Sequence, residues 1–349
     1  MILAERVARA VLHRIDPEQA RDLALIALRA RLTPRRAAPT SDRLRTTVAG
    51  INLLNPVGLA AGFDKNAIAI APLLKSGFGF IEVGTVTPHA QSGNPKPRLF
   101  RLAEDRAAIN RFGFSNDGAA VIARRLAARP ATGVVGLNIG PNRDSRDRVA
   151  DFTDLLKTCG AKVNFVTVNV SSPNTEKLRD LQGAESLARL LDSVLTARDG
   201  LGDKRPGIFL KVSPDLTDAD IRNIAAVARN ARIDAVIATN TTLRRDGLSS
   251  RHATEAGGLS GAPLRTTATR ILAKFYGELK GDVPLIGVGG IATAQDALDR
   301  IRAGAQAIQI YTALIYDGIT GAVRIAEKLD SLLAKEGFQN VSEAVGNRP

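Results

Sequence analysis

From residue 55 onward, short apolar runs ending in Gly, Asn, Ser or Thr alternate with longer stretches of helical period. Eight such runs occupy 57–61, 80–84, 134–139, 165–170, 208–212, 235–239, 285–288 and 307–310, and helical candidates between them include 118–128, 187–195, 218–230 and 293–303. Runs that are apolar on both faces belong to a buried parallel sheet, and eight βα units are the number that closes a (β/α)8 TIM barrel. The span 55–330 suits the usual barrel size of roughly 250 residues. An open doubly wound sheet is the structural alternative, but no GxGxxG follows the first run to support it.

The first 36 residues carry another pattern. Leu3, Val7, Ala10 and Val11 recur at helical spacing, and Asp16-Pro17-Glu18-Gln19 reads as an N-cap, a proline at the first helical position and a capping-box partner. The second of these predicted helices has six consecutive apolar residues at 23–28, a wider apolar surface than one-sided packing requires. Its cover is expected to be the main domain, a second subunit or an anionic membrane. The eight arginines and four carboxylates of this segment suit the membrane. The expected organisation is a helical extension over 1–36, a linker with short strands over 37–54, the barrel over 55–330 and a tail over 331–349.

With 44% hydrophobic and 24% charged residues, the 349-residue chain has too much apolar content for disorder. Its single cysteine, Cys159, excludes an intrachain disulfide and any multi-cysteine metal site, and leads to the expectation of a reducing, cytosolic compartment. No apolar run is long enough to span a membrane, and the amino terminus lacks the pattern of a secretory signal. A net charge of +13 implies an anionic partner. Scattered basic residues, three tyrosines and no tryptophan argue against nucleic acid.

In a barrel, ligands sit at the carboxyl ends of the strands. The polar residues there are Gly62-Phe63-Asp64-Lys65-Asn66, Thr85, Asn138, Asn169 with Ser171-Ser172-Pro173-Asn174-Thr175, Lys211 and Thr239-Asn240-Thr241. A lone Asn169 or Thr239 is ordinary turn chemistry. The whole set, however, suits a planar heterocycle, and Lys65 and Lys211 suit an anion that offsets the cost of desolvating them. Gly257-Gly258-Leu259-Ser260-Gly261, Gly287-Val288-Gly289-Gly290-Ile291 and Tyr311-Thr312 surround the last two runs, where barrels commonly bind phosphate. His13, His89 and His252 have no metal-ligand spacing, and no strand end carries paired carboxylates. Metal catalysis and sugar hydrolysis therefore fit poorly. His89 is expected in a surface loop, and Ser172 is the hydroxyl best placed to act as base or nucleophile.

Five motifs, Ala60-Ala61-Gly62-Phe63-Asp64-Lys65, Asn110-Arg111-Phe112-Gly113-Phe114, Asn169-Val170-Ser171-Ser172-Pro173-Asn174-Thr175, Thr239-Asn240-Thr241 and Gly258-Leu259-Ser260-Gly261, together resemble the dihydroorotate dehydrogenases. The resemblance implies an FMN enzyme that oxidises (S)-dihydroorotate to orotate in pyrimidine biosynthesis, with one FMN per chain. The base in the fourth-strand loop is Ser172 here. Serine at that place resembles the quinone-using class 2, whose members carry an amino-terminal helical extension, rather than class 1, which has cysteine and passes electrons to fumarate or NAD. A non-redox phosphate-binding barrel would have no reason to keep Asn169, Ser172, Asn174 and Lys211 together. By motif position, Lys65, Asn110, Asn169, Asn174, Asn240 and Thr241 would hold the substrate, with Arg111, Phe112, Gly113 and Phe114 shaping its pocket. Ala61, Gly62, Lys65, Thr85, Asn138, Asn169, Lys211 and Thr239 would hold the flavin, and Gly261, Gly290, Tyr311 and Thr312 its phosphate. Class 2 membership also implies peripheral attachment to the cytoplasmic side of the inner membrane.

Overall fold

Each of the eight apolar runs forms one strand of a single closed barrel in the computed structural model, which describes residues 3–33, 37–175 and 178–347. Residues 1–2 and 34–36 of the expected extension, and 348–349 of the expected tail, lie outside the described residues. In chain order, α1 (Leu3–Leu12), α2 (Pro17–Arg29) and the hairpin β1 (Thr46–Val48) and β2 (Ile51–Leu53) come first. Then follow β3 (Val57–Leu59), α3 (Ile70–Leu74), β4 (Phe80–Val86), β5 (Leu99–Leu102), β6 (Ala107–Asn110), α4 (Ala119–Ala127), β7 (Val134–Ile139), α5 (Arg148–Cys159) and β8 (Phe165–Asn169). The chain continues with α6 (Ala184–Asp199), β9 (Gly207–Val212), α7 (Asp218–Ala231), β10 (Ala235–Ala238), β11 (Gly258–Gly261), α8 (Arg265–Leu279), β12 (Leu285–Val288), α9 (Ala294–Arg302), β13 (Ala307–Ile310), α10 (Thr312–Asp317) and α11 (Gly321–Lys335). Strands β3, β4, β7, β8, β9, β10, β12 and β13 pair in parallel in that order, and β13 returns to β3. The (β/α)8 expectation is thereby met.

The barrel interior is layered. Phe165 stacks on Phe209 with ring centroids 4.4 Å apart, and Phe80 meets Phe165 edge-on. These rings have room because neighbouring strands carry no side chain where they pass: a Cβ on Gly136 would lie 2.1 Å from the Phe165 ring, and one on Gly58 would lie 2.3 Å from Phe80. Val48 and Leu53 of the β1–β2 hairpin join this aromatic cluster and plug the amino-terminal end of the barrel. Beyond it lies a buried polar layer of Glu82, Asn138, Thr167, Lys211 and Gln309.

The carboxyl-terminal mouth is roofed by β5, β6 and β11, an antiparallel sheet outside the barrel in which Asn110 is paired with both Leu99 and Gly258. Helix α2 lies beside this sheet. Asp16 caps it by accepting hydrogen bonds from the N–H groups of Glu18 and Gln19, each at 3.0 Å, and Pro17 occupies its first turn as the sequence predicts. Of the apolar run at 23–28, Leu25 and Leu28 are buried, while Leu23 and Ile26 stay exposed. Val7, Val11 and Leu32 are also exposed, so the two helices present an uncovered apolar face. At the other end of the chain, α11 runs on to Lys335, and Val341 and Ala344 are buried.

Candidate active site

The strand ends and the β5–β6–β11 roof enclose a cleft of about 1360 Å3. It gathers residues that are far apart in sequence: Ala61, Gly62, Lys65, Thr85, Asn110, Phe112, Phe114, Asn169, Ser172, Asn174, Lys211, Thr239, Asn240, Thr241, Gly261, Gly290, Tyr311 and Thr312 all line it. Three sequence candidates do not. Arg111 turns outward to form an ion pair with Glu255 at 2.8 Å and to bond the Ala256 carbonyl. Gly113 faces Asn94, whose side chain would meet a Cβ at 2.8 Å. Asn138 is fully buried in the layer beneath the cleft.

That layer sets the orientation of the amides above it. The Glu82 carboxylate accepts from Asn138 Nδ2 at 2.7 Å and from Gln309 Nε2 at 2.6 Å. An ionised carboxylate only accepts, so the Asn138 carbonyl must face the other way. It takes hydrogen bonds from Thr85 Oγ1 at 2.6 Å and from Asn169 Nδ2 at 2.9 Å. The Asn169 carbonyl oxygen is in turn directed to Ser171 Oγ at 3.1 Å and to Asn240 Nδ2 at 3.3 Å. Asn174 reaches across the mouth and donates to the Asn110 carbonyl at 3.1 Å, and its own N–H lies 3.3 Å from Ser172 Oγ. His89 is exposed, as expected, and no histidine among the described residues lines the cleft.

The cleft is cationic. Burial pushes the Lys65 ammonium well below its usual range, and the nearby Arg21 pushes it further in the same direction. Its Nζ donates to Ser115 Oγ at 3.2 Å and sits 3.0 Å from the centroid of the Phe112 ring. Register pairs Asn169 with Lys211, whose ammonium is likewise lowered by burial and partly restored by the charge of Glu82. Two desolvated lysines with no carboxylate in contact among the described residues are the donor set for an anionic ligand.

One end of the cleft is a backbone cradle. A Cβ on Gly261 would lie 2.4 Å from the Arg106 carbonyl oxygen, and one on Gly290 would lie 2.5 Å from the Arg265 Cα; both residues have positive φ. Only glycine fits there. Thr312 Oγ1 donates to Ser260 Oγ at 2.9 Å beside them. Inside the cleft, the buried Gln309 Oε1 has no partner among the described residues. Amide-rich walls, two lysines, an unpaired acceptor and a glycine cradle together fit a flavin mononucleotide.

A second space of about 1230 Å3 opens between the helical extension and the barrel. Ala20, Ala24, Leu28, Leu12, Phe63 and Leu314 make it almost wholly apolar. It shares Leu99, Ala108, Tyr311 and Ile315 with the cleft, so these residues form the wall between the two spaces. Arg21 Nη1 and Arg101 Nε lie buried without partners, and both residues line this tunnel. Arg101 also donates to the carbonyls of Leu12 and His13 at the end of α1, where a cation is favoured.

Sequence reasoning counted Arg21 only among the arginines of the amino-terminal segment and gave no role to Arg101, Glu82 or Gln309. The last two left a signal: each is a lone polar residue inside an apolar strand run.

Residues 43–333 match the dihydroorotate dehydrogenase family. A dihydroorotate dehydrogenase (quinone) of Cereibacter sphaeroides is 58% identical over 99% of this chain and 98% of its own length, and one of Sinorhizobium fredii is 47% identical over 99% and 96%. The crystal structure of DHODH in complex with ferulenol from Eimeria tenella superposes with a TM-score of 0.93 at 39% identity, covering 96% of both chains. The barrel, the cleft motifs and these matches over nearly the full length agree: the chain belongs to the dihydroorotate dehydrogenase family.

Proposed function

We propose that this protein is a quinone-dependent dihydroorotate dehydrogenase, oxidising (S)-dihydroorotate to orotate in pyrimidine biosynthesis with FMN as cofactor and a membrane quinone as acceptor. The observation that carries this reading is the shared wall. A cleft lined by amides and two lysines and an almost wholly apolar tunnel meet across a few side chains. One space suits a soluble anion and the other a lipid-soluble molecule.

FMN, when bound, supplies the hydride-accepting chemistry and the route for electrons to the quinone. The roles of this chain's own residues follow from their chemistry. Ser172 is the base that takes the substrate proton, and Lys65 offsets the substrate carboxylate. Asn110, Asn169, Asn174, Asn240 and Thr241 read the pyrimidine edges, with Phe112 and Phe114 bounding the pocket and Arg111 and Gly113 supporting it from outside. Ala61, Gly62, Thr85 and Thr239 line the ring's seat, Asn138 orients Thr85 and Asn169 from beneath, and Lys211 stabilises negative charge on the ring. Gly261, Gly290, Tyr311 and Thr312 receive the phosphate. Arg21 and Arg101 offer donors to a quinone carbonyl, since a buried donor left unpaired costs about 1–3 kcal/mol.

No helix among the described residues is long and apolar enough to cross a membrane. The exposed Val7, Val11, Leu23, Ile26 and Leu32, flanked by Arg29 and Arg31, support peripheral docking on an anionic inner membrane from the cytoplasmic side. In this assignment residues 1–36 are the docking extension, 37–54 the linker and hairpin, 55–330 the barrel and 331–349 the tail.

The test is a visible spectrum of the purified protein under anaerobic conditions. A flavin spectrum that bleaches with dihydroorotate and recovers with a quinone, but not with fumarate or NAD, is the expected result. A folded protein that takes up no FMN, or one reoxidised equally by fumarate, would overturn the reading. Deleting residues 1–32 should remove quinone turnover and vesicle binding while leaving bleaching by dihydroorotate intact.

A further inference from the structure

Arg300 on α9 is the largest fully buried side chain among the described residues. Its guanidinium donates from Nη1 to the Val288 carbonyl at 3.0 Å and from Nη2 to the Gly289 carbonyl at 2.8 Å and the Arg265 carbonyl at 3.3 Å, while Nε donates to Thr269 Oγ1 at 3.1 Å. Every partner is neutral, and no carboxylate among the described residues lies within ion-pair distance. The nearest candidate, Asp296, is engaged by Arg265 Nη1 at 2.8 Å and by the N–H groups of Ala292 and Thr293. Burial lowers the guanidinium only to about 10, so it stays charged at neutral pH.

A buried cation without a counterion is costly unless something nearby uses its charge. The chain is shaped to admit this one: a Cβ on Gly287 would lie 2.3 Å from Arg300 Cγ, so the side chain passes beneath the end of β12 only because residue 287 has none. By drawing the Val288 and Gly289 carbonyls toward α9, Arg300 turns the N–H groups of Gly289 and Gly290, the other halves of the same trans peptides, away from the helix. Gly289 and Gly290 line the cleft on its cradle side.

We infer that Arg300 is a positioning residue for the phosphate of the cofactor, fixing the Gly287–Gly290 turn from behind with its donors toward the phosphate and leaving a permanent positive charge beneath it. This rests on the FMN reading above. Arg300 touches neither the flavin ring nor the substrate seat, so its effect falls on the phosphate alone.

FMN and riboflavin share the ring and ribityl chain and differ in the phosphate, which makes their comparison the test. Wild-type protein, Arg300→Lys and Arg300→Met are equilibrated with each flavin, and bound flavin is measured by fluorescence quenching. Arg300→Met should weaken FMN at least about tenfold, the scale of one charge-assisted hydrogen bond, while riboflavin binding changes less than twofold. Arg300→Lys, which keeps the charge and loses the fork, should fall between and serves as the readout if the methionine variant does not fold. Equal weakening of both flavins, or none of either, overturns the inference while leaving the cofactor assignment standing. A wild-type protein that binds neither flavin overturns both.

Discussion

Replacing Glu18 by Ala removes the ion pair that holds α2 against the roof of the cleft. In the intact protein the Arg98 guanidinium donates to Glu18 from Nη2 at 2.8 Å and from Nε at 3.0 Å to the second oxygen, with both side chains nearly buried. Stranding one partner of a buried pair costs about 3–5 kcal/mol. Arg98 keeps two acceptors, the carbonyls of Ser92 at 2.5 Å and Asn94 at 2.9 Å, which places the expectation at the lower end. Leu25 and Leu28 remain docked, each contributing about 2 kcal/mol of apolar burial. The helix therefore stays down in nearly every molecule but opens about a hundredfold more often, since each 1.4 kcal/mol is a factor of ten. Hydrogen exchange read by mass spectrometry on peptides covering Pro17–Arg29 measures this opening directly. Protection there should fall about a hundredfold, protection of β7, β8 and β9 should hold, and dihydroorotate should reduce the flavin at the wild-type rate. Unchanged protection of α2, or equal loosening of the barrel strands, would refute the argument.

The same pair makes docking sensitive to acid. Burial alone would push the Glu18 carboxyl up, but the hydrogen bond and charge of Arg98 outweigh it, and the group ends below its ordinary 4.5. Its contribution is therefore full above 4.5 and fades as the pH falls through the lower, folded value; calorimetric melts of wild type should show this loss, and those of Glu18→Gln should lack it. Gly136→Ala should lower the urea midpoint by the equivalent of about 1–3 kcal/mol, because the Phe165 ring in its path is held by Phe209; the added variant Phe165→Leu should recover part of the loss. Ser172→Ala should keep its flavin and lose about 10²–10⁴ in the rate of flavin reduction, measured by stopped flow, with Ser172→Cys restoring part of it. A normal rate in the alanine variant would remove Ser172 from its role.

The eight barrel strands were legible because a strand buried on both faces reads as an unbroken apolar run, and the helices between them keep a clear period. The roof was not. Its strands are four residues long, each carrying a polar residue such as Arg101, Asn110 or Ser260, and β6 finds its partner β11 only after four barrel strands have intervened. Site residues at strand ends could be collected by position, whereas Arg111 and Gly113 sit beside true cleft residues and turn away because of Glu255 and Asn94. Glu82 and Arg300 act through other residues, and nothing in local spacing reveals whom a buried charge will face.

The partition of Leu99, Ala108, Tyr311 and Ile315 gives the protein two doors. On the proposed reading, a molecule lodged in the tunnel blocks the second half of the catalytic cycle without entering the space where the first half occurs. Such an inhibitor competes with the oxidant and leaves the reductant's access untouched, so its potency falls as quinone concentration rises, and dihydroorotate does not displace it. Because Arg9, Leu12, Ala20 and Ala24 of α1 and α2 supply much of its seat, selectivity among related enzymes is decided by the extension rather than by the barrel.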